Sequence, residues 1–224
     1  MERYWELTDA QIRNPLAQQF NVAPTTSVPI IYRAMGRLEV VAARWGFIPV
    51  WWKAAKPPGK TFNARSEEAA TKPMWRYPAG KARCLVPAMG WYEWKEVEQI
   101  DPLSGEVKKA KQPYLMQRAD RQPIAFAGFM SRRTTDDQKS EFTCTILTRD
   151  AVGPAADIHT RMPIALPKDA QAAWLDPELI DPTIMVEFAR DNSTTQFMLH
   201  VVNSRVNNSK NEGEELIEPF ENPA

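Results

Sequence analysis

Apolar and branched residues fall in short runs separated by turn formers. Residues 30–32, 38–42, 114–117, 124–130, 142–147 and 198–202 are rich in β-branched and aromatic side chains and read as strands. Helix signals are fewer and brief. Thr8-Asp9-Ala10-Gln11 forms a capping box whose helix Pro15 should end. Ser66-Glu67-Glu68-Ala69-Ala70 resembles a second helix start, and residues 168–175 suit a third. Asp181-Pro182, with proline at the first helical position, should open a helix through Arg190. Residues 99–112, which hold Asp101-Pro102-Leu103-Ser104-Gly105 and three lysines, read as an exposed hairpin loop. No repeat, low-complexity tract or linker interrupts the pattern. It predicts one α+β domain, residues 1–224, with mostly antiparallel strands.

Composition narrows the class. Nineteen prolines against nine glycines in 224 residues favour many short elements with rigid connections. The apolar run at 124–130 is among the longest and falls far short of the roughly 20 residues that a membrane helix needs. The first residues are charged and aromatic, unlike a secretory signal. Cys84 and Cys144 are too few for a disulfide framework or a four-cysteine zinc site. Collagenous, secreted disulfide-rich, membrane and disordered classes are excluded, and a soluble cytoplasmic protein is expected.

The net charge is zero, yet it is unevenly spread. Residues 1–95 carry 14 basic and 7 acidic side chains, so the remainder carries the compensating negative charge. Seven of the eight tryptophans share that basic half: Trp5, Trp45, Trp51, Trp52, Trp75, Trp91 and Trp94. Cations neutralise phosphate and flat rings stack on bases, which is what single-stranded nucleic acid requires. For any one tryptophan, burial in a core is the competing account. Trp51-Trp52 fits it least, because neighbours on a strand point to opposite faces.

No phosphate-cradling glycine loop, HExxH or GxSxG motif is present. Glu93, within Gly90-Trp91-Tyr92-Glu93-Trp94, is either a carboxyl desolvated by indoles, and so suited to acid–base work near neutrality, or a surface glutamate on an edge strand. His159, before Thr160-Arg161-Met162-Pro163, either shuttles protons or caps a turn, and Arg161 beside it can hold a phosphate or help keep the imidazole neutral. Asn63 and Arg65 precede a helix start and suit anion binding as well as capping. His200 reads as a half-buried strand residue bonded to backbone. Cys84 and Cys144 read as inert core thiols.

Taken in order, a set of segments spanning the chain resembles the SOS-response-associated peptidase (SRAP) family. They are Arg3-Tyr4, Asn21-Val22-Ala23-Pro24, Trp45-Gly46-Phe47-Ile48-Pro49, Trp51-Trp52, Asn63-Ala64-Arg65-Ser66-Glu67, Gly90-Trp91-Tyr92-Glu93-Trp94, Ile158-His159-Thr160-Arg161-Met162-Pro163, Val202-Asn203-Ser204-Arg205-Val206 and Asn211-Glu212-Gly213-Glu214-Glu215-Leu216-Ile217. The resemblance implies a curved, barrel-like, largely antiparallel sheet surrounded by short helices, with a basic DNA groove. It also implies a monomer without metal or cofactor that binds abasic sites in single-stranded or gapped DNA. In that family an N-terminal cysteine, exposed by loss of the initiator Met, condenses through its amine and thiol with the sugar aldehyde. The product is a thiazolidine DNA–protein crosslink. By the same resemblance Asn63 orients the nucleophile, Glu93 is the acid/base, and His159 protonates the sugar oxygen. Arg3 and Arg65 hold phosphates beside the lesion, while Trp51, Trp52 and Trp94 stack on flanking bases.

The sequence departs from the family at the nucleophile. Met1 stands where the cysteine belongs and Glu2 where a glycine belongs, so the α-amine of Met1 is the group left at that position. Two other activities compete. One is a non-catalytic module for single-stranded DNA, against which the joint retention of Asn63, Glu93 and His159 argues. The other is a peptidase built on Glu93 and His159, which lacks a credible nucleophile.

Overall fold

The computed structural model describes residues 5, 12–13, 17–54, 56–100, 105–135 and 139–220. Strands β1 (Ile12–Arg13), β2 (Ser27–Ala34), β3 (Arg37–Trp45) and β4 (Asn63–Arg65) are followed by helices α1 (Ser66–Ala69) and α2 (Pro73–Lys81). Strands β5 (Arg83–Ala88), β6 (Trp91–Ile100), β7 (Val107–Arg118), β8 (Ile124–Thr134), β9 (Ser140–Asp150) and β10 (Arg161–Pro163) come next. Helices α3 (Lys168–Trp174) and α4 (Pro182–Asp191) and strand β11 (Phe197–Val201) complete the set, with 3-10 turns at Gly153–Asp157, Ser204–Asn207 and Glu214–Leu216. No helix among the described residues is long and apolar enough to cross a membrane.

Five strands close on themselves in the order β3-β2-β5-β8-β9, and a parallel contact of Arg44 with Thr143 and Trp45 with Cys144 shuts the ring. The β2–β3 hairpin sets its own register. Met35 and Gly36, at φ 48° and 79°, form a two-residue turn with both φ positive, which matches the twist of the paired strands. A second sheet, β11-β7-β6, lies apart from the barrel ladder. Its Met116 and Phe197 pack with Cys84, Val86, Ile124, Phe126 and Cys144. Alternate residues on the same strands, Leu85, Ala125, Ala127 and Phe129, pack instead under the helices with Trp75, Ala79, Trp174 and Met185. Both faces of β5 and β8 are therefore covered, as a nearly continuous apolar run requires.

The helices are fastened by a few polar links. Trp174 of α3 is fully buried, stacks on Phe129 at 6.2 Å and donates its indole N–H to Cys84 O at 2.8 Å. Arg83 donates to the carbonyls of Ala79 and Gly80 at the end of α2 and of Trp174 at the end of α3. Burial lowers its pKa to about 10. Asp181 caps α4 by accepting from the Thr183 and Ile184 N–H groups at 2.8 and 3.1 Å.

The helices expected at Ser66, 168–175 and Pro182 are all present. The helix expected from Thr8 falls largely outside the described residues, and it cannot run to Pro15, because Ile12 and Arg13 pair in parallel with Val40 and Val41. The segment 99–112 is mostly ladder rather than loop: β6 and β7 stay paired out to Ile100 opposite Val107. Helix α2 has no counterpart in the expected elements. Pro78 and Gly80 read as breakers, yet Pro78 sits inside the helix and Gly80 lets the Ile180 carbonyl approach.

Gly128 is where packing leaves least freedom. A Cβ there would lie 2.7 Å from the Thr145 carbonyl oxygen and 3.2 Å from Cys84 Sγ. Gly128→Ala should cost about 1–3 kcal/mol by overpacking. Gly59→Ala, which meets nothing within 4 Å, should stay within about 0.5 kcal/mol of wild type. Urea unfolding of the two variants measures the contrast.

Candidate functional site

Strand β6 supplies the first acidic group. Tight approach at Gly90, where a Cβ would sit 2.6 Å from the Met116 carbonyl oxygen, seats β6 on β7. Alternation then sends Tyr92 and Trp94 to one face and Trp91 and Glu93 to the other. Trp91 packs edge-on against Phe126 and Phe197 at 5.8 and 4.8 Å. Glu93 has a side chain only 21% exposed and stands 3.9 Å from His159 Nδ1. Burial pushes its carboxyl up to about 7, and the nearby charge of His159 opposes that rise only in part. The carboxyl is therefore poised near neutrality by desolvation, as the aromatic sequence context suggested.

His159 comes from a segment remote in sequence. It follows the 3-10 turn at Gly153–Asp157, whose Ala155 carbonyl accepts the His159 N–H at 3.0 Å, and it precedes β10. Its Nδ1 accepts the backbone N–H of Arg161 at 3.0 Å. Glu93, Trp94, Lys111, His159 and Asn207 line a cleft of about 380 Å³. Asn63 and Arg161 border the broader groove into which this cleft opens.

Asn63 and Arg65 lie on β4, which pairs in parallel with β9 from Ile146 to Thr148. Period-two alternation buries Ala64 in the core and leaves Asn63 and Arg65 exposed on one side. The Arg65 guanidinium makes no ion pair or hydrogen bond to the described residues. Arg161 is differently placed, with its guanidinium turned onto Glu67 and Asp150.

The tryptophans divide. Trp5 and Trp75 are buried in the core, and Trp45 donates to the Phe62 carbonyl at 2.7 Å. Trp51 and Trp52 occupy a turn rather than a strand. Trp51 is 59% exposed, with its ring edge-on to Trp52 at 5.9 Å, and Trp52 donates to the Lys56 carbonyl. Neither lines the cleft, but both sit on the segment that leads from β3 to β4 and hence to Asn63. Trp94 does line it, held by a 2.6 Å hydrogen bond from its indole N–H to Asn207 Oδ1. Met1 and Arg3 lie outside the described residues.

Sequence reasoning missed Asn207, Lys111, Glu67 and Asp150. Asn207 follows a recognised segment, but its bond to Trp94 spans 113 positions and leaves no local trace. The role of Asn21 was equally invisible: its amide donates to the carbonyls of Val206, Asn208 and Asn211, tying the N-terminal segment to the turn that carries Asn207. Tyr92 adds a bond to the Phe20 carbonyl at 2.8 Å, and burial raises its phenol to about 12. His200 is half-buried, with Nε2 2.9 Å from the Ile217 carbonyl oxygen, as its sequence context suggested.

Comparison with known proteins gives a consistent picture. The family model for SOS response associated peptidase (SRAP) matches residues 1–209. The abasic site processing protein YoqW of Bacillus subtilis is 34% identical over 199 residues, covering 89% of this chain and 85% of the relative. The abasic site processing protein YedK of Escherichia coli is 36% identical over 207 residues, covering 90% and 84%. A solved phage-related protein from Bordetella bronchiseptica superposes with a TM-score of 0.67 at 29% identity, covering 91% of this chain and 90% of that one. A closed five-stranded barrel with short helices, segments matched in order from the first residues to residue 209, and close relatives of nearly the same extent lead to one assignment: the chain belongs to the SRAP family.

Proposed function

We propose that this protein processes abasic sites in single-stranded or gapped DNA, and that the covalent step uses the Met1 amine and yields a reversible imine. The observation that carries the reading is the Glu93–His159 pair, 3.9 Å apart in a cleft, with the carboxyl raised to about 7. A group that titrates near neutrality both gives and takes a proton at working pH. The relatives' names as abasic site processing proteins supply the substrate class.

The chemistry follows from the group that stands at the family's nucleophile position, the Met1 amine. Cys84 and Cys144 are fully buried, and burial pushes both thiols up, so neither offers a thiolate to the cleft. An α-amine has a reference pKa of about 7.7–8, which leaves an appreciable neutral fraction near pH 7. Its nitrogen attacks C1′ of the ring-opened sugar, and the aldehyde oxygen takes a proton from the acid pair. Loss of water then gives the imine, and return of water reverses it. Asn63 orients the amine, Arg65 meets a flanking phosphate, and Trp94 offers a stacking face that Asn207 holds in place. Trp51 and Trp52 extend the stacking surface along the strand.

Incubating the unmodified chain with an abasic oligonucleotide should give an adduct that survives denaturing electrophoresis only after borohydride reduction. Restoring Met-Cys-Gly ahead of Arg3 should give one that survives without reductant. A heat-stable adduct from the unmodified chain would place the nucleophile elsewhere.

Glu93→Gln should slow the covalent step by roughly 10²–10⁴-fold while DNA affinity is kept. The same substitution has a signed effect on stability. A carboxyl whose folded pKa lies above its unfolded value weakens the fold as pH rises from about 4.5 through 7, because the native state must then hold it charged. Glu93→Gln should therefore be nearly neutral at pH 4 and stabilising at pH 8 by up to about 3 kcal/mol. Thermal unfolding at the two pH values checks the sign.

A further inference from the structure

The segments that bring polar groups to the cleft lie far apart in the chain, and one guanidinium joins them. Arg161 Nη1 and Nη2 donate to the two carboxylate oxygens of Glu67 at 3.1 and 2.9 Å, a bidentate fork. Nη1 also donates to Asp150 Oδ1, and Nη2 to the Thr148 carbonyl at 2.8 Å. All four Nη hydrogens are engaged in this way. Nε is buried, with no partner among the described residues. A guanidinium held like this has no accessible donor to spare for an incoming phosphate. What it fastens is the start of β10 to α1, immediately after Arg65, and to the end of β9.

At that point the strand ladder leaves one amide over. Ala151 N–H donates to the Thr160 carbonyl, so in the antiparallel alternation Arg161 and Asp150 form the non-hydrogen-bonded pair. The Arg161 N–H accordingly faces away from β9, and His159 Nδ1 accepts it at 3.0 Å. A backbone amide is an obligate donor, whereas a ring nitrogen takes either role. Nδ1 therefore presents its lone pair, and the proton of the neutral ring sits on Nε2. The Arg161 carbonyl oxygen, 3.1 Å from the same Nδ1, accepts a proton only in the other tautomer or the imidazolium, at the expense of that amide.

We propose that Glu67 is a positioning residue: together with Asp150 it clamps Arg161, so that the Arg161 amide holds His159 as the Nε2–H tautomer, which leaves Nε2–H as the ring's hydrogen-bond donor to the reacting oxygen while the proton itself comes from the Glu93 carboxyl. The two residues beside the catalytic pair thus divide the work. Arg65 meets DNA, and Arg161 sets the geometry of the imidazole donor. The consequence for rate rests on the reaction proposed above, while the tautomer does not.

Only two histidines are present, so two-bond ¹⁵N–¹H correlation spectra of the full-length protein, at a pH where both rings are neutral, resolve each ring. Wild type should show His159 protonated at Nε2. Glu67→Gln and Asp150→Asn should each give mixed tautomers at His159, leave His200 unchanged, and slow adduct formation with abasic single-stranded DNA about 10-fold or more. Glu67→Asp should recover part of the tautomer preference. Asp150 has a side chain 83% exposed, so its substitution carries the test even if Glu67 variants fold poorly. Neither Glu67→Gln nor Asp150→Asn should alter the slope of log affinity against log salt. Arg65→Gln should reduce that slope by about 0.7, the loss of one phosphate contact to a single strand. Nδ1 protonation of His159 in wild type, or an unchanged tautomer in both clamp variants, overturns the proposal. So does a loss of about 0.7 in the slope for Arg161→Gln, which would make Arg161 a phosphate ligand. Absence of any reducible adduct from wild type would defeat the proposed reaction while leaving the tautomer comparison to decide this inference.

Discussion

Strand β9 is the constraint on which the rest of the structure depends, because four other strands pair with it. Along one edge it takes β3 at Thr143 and Cys144 and then β4 from Ile146 to Thr148. Along the other it takes β8 up to Ile146 and then β10 from Thr148 to Asp150. The first pairings close the barrel. The second pairings position the candidate site, because β4 carries Asn63 and Arg65 while β10 begins two residues after His159. Thr148 lies opposite Arg65 on one side and opposite Pro163 on the other. Two segments almost 100 residues apart are thus set a strand's width from each other by hydrogen-bonding groups that the sequence places in one run. A slip of one residue in β9 would turn every side chain on it to the opposite face, so the site and the core share one register.

The site itself runs against the stability of the fold. Desolvating Glu93 is unfavourable at neutral pH, and the structure offsets this with a histidine close by rather than with a committed arginine or lysine. A full ion pair would hold the carboxylate charged and useless as an acid. The guanidinium nearest in sequence to His159 is instead bound to Glu67 and Asp150, whose hydrogen bonds hold Glu67 below its ordinary range in spite of burial. One acidic group is left to titrate near neutrality, while the other is held below the ordinary carboxylate range. Separating carboxyl environments in this way assigns their roles.

Much of the chemistry was legible residue by residue. Glu93 stood out because indoles flank it, His159 because histidine changes charge near neutrality, and Asn63 and Arg65 because they precede a helix start. Their grouping was not legible, since Glu93 and His159 meet only through the packing of the β6–β7 sheet against the barrel. Trp94 illustrates the same limit: its ring is obvious in sequence, while the Asn207 carbonyl that fixes its plane is not. In the fold, runs such as 124–130 announced strands, and Asp181-Pro182 announced a helix. Helix α2 stayed hidden because Pro78 and Gly80 carry local signals that tertiary packing overrides. Most of the tryptophans of the basic half went to the core or to structural hydrogen bonds, so charge and aromatic content alone overstated the stacking surface.

The account turns on a carboxyl that stays protonated near neutrality inside the cleft. Selective ¹³C labelling of glutamate, with Glu93 assigned by comparison with Glu93→Gln, allows its carboxyl carbon to be followed by NMR from pH 3 to pH 9. A midpoint near 7 is the result the structure predicts. A midpoint near 4.5, the ordinary value for a solvated glutamate, would show that the carboxyl is not desolvated and would contradict its role as the acid–base group.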